Sequence, residues 1–65
     1  MPWSAEHYPL AMRNLPPLVR LKAIAIANAL LADGMDEARA IRIAIARAKQ
    51  WAVHESGGSG YDLDS

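Results

Sequence analysis

Sixty-five residues with no cysteine and a formal net charge of zero allow one domain at most and exclude disulfide staples and thiolate zinc sites. A chain this short buries only about 60% of the surface its unfolded form exposes, so a partner subunit is the expected source of extra stability. The charges are uneven: residues 1–36 carry three of each sign, residues 37–53 sum to +3 and residues 54–65 to −3. That pattern describes a polarised helix followed by an acidic end, not a generally basic nucleic-acid binder.

The first predicted element is short. Ser4 suits the cap of a turn, Pro9 the start of a helix reaching about Arg13, and Leu15-Pro16 its end. Trp3, Tyr8, Leu10, Met12 and Leu15 give this segment a large apolar load, and it is expected to wrap across whatever follows.

Pro17 then opens a helix predicted over 17–33, rich in Ala, Leu and Ile, with Gly34 placed where a left-handed residue ends a helix. Asp36 reads as the cap of a second helix over 37–54, with Glu37 favourable beside the positive end of its dipole. So short a connection forces the two helices back antiparallel. The expected fold is all-α: an antiparallel hairpin with the amino-terminal helix or extended segment packed across it, in one domain over 1–54. Residues 55–65 have Gly/Ser linker composition and acidic ends, and are expected to form a flexible tail.

Steps of about 100° per residue show what each helix wants to bury. On the first, Lys22, Ala25, Ala29 and Asp33 form a narrow wet strip with Leu18 at its edge, and nearly all the rest is apolar. That face is too wide for a single partner helix. On the second, Ala40, Ile41, Ala44, Ile45, Ala48, Trp51 and Ala52 make a cleaner stripe. The surplus on the first helix points to self-association, with Val19, Ile24, Asn28, Leu31, Ile43 and Val53 as the candidate residues. Asn28 could set register there, as a lone asparagine does in coiled coils. Alternatively, it bonds nearby backbone at the edge of the core.

Arg39, Arg42, Arg47 and Lys49 are candidates for phosphate contact. Cations toward the end of a helix also suit its dipole when simply solvated, and no aromatic residue is interleaved to stack on bases. Three or four charges give weak, salt-sensitive binding at most. The hairpin is a poor match to a helix-turn-helix reader, since the first turns of the second helix carry no Asn or Gln. Trp3, Tyr8 and Trp51 read as bulk filler in a chain without phenylalanine. His7 and His54 read as exposed. Tyr61, Asp62, Leu63 and Asp64 could form a docking peptide for another protein, although such ends are more often without structure.

Met1-Pro2-Trp3, Tyr8-Pro9, Met12, Leu15-Pro16, Ala23 and Asn28-Ala29 together resemble the ChaB-like family of small bacterial and viral proteins. Ala40 to Ala46 is similar to that family's later alanine-rich helix. Leu15 to Ala52 resembles still more closely the amino-terminal domain of YdaT-like bacterial proteins, which are uncharacterised. The resemblance implies a mostly helical protein, and on the ChaB side a regulator of cation transport. It attaches no catalytic residue to the motif. The short interhelical connection departs from the long charged insert of ChaB-like proteins.

No nucleophile, carboxylate pair or glycine-rich phosphate loop stands out, so no enzyme activity, metal or cofactor is expected. The longest apolar runs are broken by Lys22, Asn28 and Asp33, too early for a membrane span, and no signal peptide is visible. The sequence therefore predicts a cytoplasmic helical interaction module that forms homo-oligomers. Electrostatic nucleic-acid accessory work and transport regulation are the alternatives.

Overall fold

The computed structural model describes residues 2–56. Helices α1 (Pro17–Ala32) and α2 (Glu37–Ser56) pack against each other as a hairpin, preceded by a single 3₁₀ turn at Leu10–Met12. No strand is formed among the described residues, where Ser4 and His7 make only an isolated bridge.

Local chemistry explains each boundary. Pro16 is extended at φ −55°, ψ 150°, as a residue before proline must be. Pro17 fills the first helical position, where a missing N–H costs nothing, and the Arg20 N–H donates to the Pro16 carbonyl at 2.8 Å. At the other end the Met35 N–H donates to the Leu30 carbonyl at 3.0 Å, and the Gly34 N–H to that of Leu31 at 2.9 Å. These two crossed bonds form a Schellman motif, and Gly34 takes the positive φ of 94° that it requires. Asp36 caps α2, its Oδ2 accepting from the Arg39 N–H at 3.1 Å.

The interface between the helices is made of alanine. Ala23 and Ala27 from α1 and Ala40, Ala44 and Ala48 from α2 are all fully buried. Residues this small let two helix backbones approach closely, and they cost no side-chain entropy. Met12 is the largest side chain buried completely. It comes from the amino-terminal arm, not from the hairpin. Trp3, Tyr8 and Leu15 of the arm, with Ile26, Ile41, Ile45 and Ala52, pack around the same core.

The arm corrects one expectation. The apolar circumference of α1 is indeed too wide for α2, but much of it is covered within one chain. Val19 and Ile24 are buried, and Arg20, Ile24 and Asn28, each four residues apart, share one face of α1. Arg20 and Asn28 both bond the arm. The wet strip holds as read: Leu18, Lys22, Ala25, Ala29 and Asp33 are exposed, joined by Leu21 and Ala32. Ser4 works through its backbone, which closes a turn over Ala5-Glu6 by exchanging hydrogen bonds with His7 at 2.8 and 3.1 Å.

A Cβ built on Gly34 would meet nothing within 4 Å, so Gly34→Ala isolates the backbone cost of a left-handed residue. It should destabilise the fold by about 1 kcal/mol and lower the melting temperature by about 4–8 °C. Gly34→Asn should recover part of that loss. Thermal unfolding followed by circular dichroism reads both, and an unchanged midpoint for Gly34→Ala would contradict the motif.

Candidate interaction surface

The arm is held to α1 by a polar latch. Asn28 is 5% exposed, so its carboxamide needs partners inside the protein. Its Oδ1 accepts from the Trp3 N–H at 3.3 Å, and its Nδ2 donates to the Trp3 carbonyl at 3.0 Å. One side-chain amide thus satisfies both polar groups of a backbone residue 25 positions away. Of the two sequence readings, backbone bonding is the one realised, although the partner is remote and not nearby. A second clamp lies two helical turns earlier. The Arg20 guanidinium stacks 4.8 Å from the Tyr8 ring centroid, and its Nη1 donates to the Arg13 carbonyl at 3.2 Å.

These contacts sort the candidate self-association residues. Val19, Ile24 and Asn28 are buried within the single chain, and of the three only Val19 also borders an open groove. Leu31 and Ile43 are half-buried. Val53 is 61% exposed. The other large apolar side chains in solvent are Leu10, Leu18 and Leu21, with Leu18 at 70%.

Antiparallel packing sets the start of α1 beside the end of α2. The Lys22 Nζ lies 5.5 Å from the Trp51 ring centroid, so Leu18, one turn before Lys22, lies toward the Trp51 side of the hairpin's end, whereas Val53 stands about 160° around α2 from Trp51. An open groove of about 560 Å³ occupies this end. Leu15, Pro16 and Val19 form one wall, Ile45, Ala52 and Val53 the other, and Asn14 and Lys49 bring the polar atoms.

The basic residues do not converge. Arg39, Arg42, Arg47 and Lys49 are all exposed, but ten residues of helix put Arg39 about 15 Å from Lys49 along the axis. Arg42 and Lys49, seven residues apart, fall on nearly one line, whereas Arg47 stands about 160° around the helix from Lys49. Only Lys49 reaches the groove. Trp3, Tyr8 and Trp51 are half-buried, and Trp3 and Tyr8 pack against the core. Tyr61, Asp62, Leu63 and Asp64 lie outside the described residues. Among the described residues no group of three or more His, Asp or Glu side chains is gathered where a metal could sit, and no helix is long and apolar enough to cross a membrane. The groove was invisible in the sequence because its Leu15-Pro16 wall depends on the path of the arm.

Arm, latch and groove define a helical-hairpin protein with a strapped first helix and an open apolar end. Over 56 residues the chain is 52% identical to the uncharacterised protein YdaT of Bacillus subtilis (strain 168), a match covering 86% of this chain. The chain spans only 37% of that relative's length. No protein-family model matches the chain, and no solved structure matches it. The YdaT-like side of the resemblance is therefore shown, whereas nothing supports the ChaB-like side or the transport role attached to it.

Removing the latch should be costly. Asn28→Ala leaves the Trp3 N–H and carbonyl without their partner and should destabilise the fold by roughly 1–3 kcal/mol. The Trp3 amide should lose its protection in hydrogen exchange while Ala44 and Ala48 keep most of theirs. Uniform loss across arm and hairpin would show instead that the latch serves the whole fold.

Proposed function

We propose that this chain is a small, non-catalytic helical interaction module whose binding surface is the open end of the hairpin and whose partner there is a second copy of itself. One observation carries this reading: with the arm in place, Val53 at the groove and Leu18 near the same end of the hairpin remain 61% and 70% exposed. Self-complementary pairing of one patch is the commonest route to a dimer. Burying one Leu or Val side chain contributes about 1.5–3 kcal/mol, and a symmetric contact through the groove end would bury at least Val53 from each copy. Set against an association cost of roughly 4–15 kcal/mol, that supports weak self-association and not an obligate dimer.

Light scattering of the whole chain over a micromolar concentration series should show its mass rising with concentration. Leu18→Ser combined with Val53→Ser should hold it monomeric with its helical signal unchanged. A parent chain that stays monomeric throughout, melting at a temperature independent of concentration, removes the proposal.

A second reading has its own support. Arg39, Arg42, Arg47 and Lys49 are exposed, and none makes an ion pair among the described residues. They would give electrostatic, sequence-independent contact with nucleic-acid phosphates. Three such contacts on duplex DNA imply a loss of about 40-fold in affinity between 50 and 200 mM salt. A gel-shift titration across salt tests this, and no retardation at 50 mM ends it.

A further inference from the structure

We infer that the groove at the open end is the docking site of the chain's own acidic, apolar segment Tyr61 to Asp64. The match is chemical first. The groove walls are apolar, with Leu15, Pro16, Val19, Ile45 and Val53 among them, and its one charged residue is Lys49. The segment alternates two large apolar side chains, Tyr61 and Leu63, with two carboxylates, Asp62 and Asp64. Apolar groups can enter while a carboxylate meets the lysine ammonium at the rim.

Chain path agrees. Ser56, the last residue of α2, comes seven residues after Lys49, so the two positions fall on nearly one line along the helix. From Ser56 back to Lys49 is about 10 Å along the axis, while the five residues from Ser56 to Tyr61 span up to about 17 Å when extended. The connection reads Gly57-Gly58-Ser59-Gly60, and glycine allows the backbone to reverse direction there. A tether this short holds the segment at about millimolar local concentration, which favours the chain's own segment over that of a neighbour. The inference rests on the groove and not on the pairing of two copies, although a docked segment would compete with a second copy for Val53.

The 65 residues contain no cysteine, so Ser65→Cys gives this chain a single thiol for a nitroxide label. The expected result is loss of the Ile45 and Val53 methyl signals to paramagnetic broadening. Leu63→Ser and the pair Asp62→Asn with Asp64→Asn should each restore them in part. In a mixture of unlabelled, isotope-enriched chains with nitroxide-labelled, NMR-silent ones, those signals should stay sharp. Broadening confined to the last turn of α2 overturns the inference, and so does equal broadening in the mixture, which would make the occupant a neighbour's segment. The mass measurement for self-association is separate, so either idea can fail alone.

Discussion

A primary amide standing in for a backbone strand is the interaction on which this fold turns. The Asn28 carboxamide offers one acceptor and one donor in the geometry of a peptide unit, and Trp3 presents the complementary pair. An asparagine buried among Ile24, Ala27 and the arm would destabilise a core if left unsatisfied. Here both halves of the amide are used, and in being used they fix the arm's register on α1. With Trp3 placed, Tyr8 can lie under Arg20 and Met12 can fill the core.

The hairpin and the arm are held by different physics. Between α1 and α2 the fit is steric: five fully buried alanines supply little apolar area each but let the backbones close up. Between α1 and the arm it is polar and aromatic, with an amide pair, a guanidinium over a phenol ring and a carbonyl captured by the same guanidinium. The arm adds Trp3, Tyr8, Met12 and Leu15 to the large apolar side chains of the core, beside Val19, Ile24, Ile26, Ile41 and Ile45 of the hairpin. A domain of this length needs that contribution, since two alanine-faced helices alone would bury too little.

Short-range signals in the sequence translated faithfully. Pro16-Pro17, Gly34 and Asp36 each act within four residues, and each produced the boundary its chemistry demands. The alanine stripe of α2 was legible for the same reason, because helical periodicity is local. The arm's helix was legible only in outline, from Pro9 to Arg13, and it is a single 3₁₀ turn. What periodicity could not supply was the identity of the cover over α1. An apolar circumference calls for a neighbour without specifying whether it comes from another copy or from 25 residues upstream, so Val19, Ile24 and Asn28 read as a partner surface when they belong to the interior. The groove shares that limit, being defined by two segments more than 25 residues apart.

The span between Trp3 and Asn28 also bears on how the molecule assembles in time. The helices meet across a tight turn, so their contacts close small loops, whereas the latch closes a large one and pays more chain entropy before any bond forms. Sequence-local structure is ordinarily the faster to form. The hairpin is therefore the natural nucleus and the strap a late arrival. Interactions that arrive after the transition state govern the rate of opening more than the rate of folding, which makes this amide pair a determinant of how long each native molecule persists.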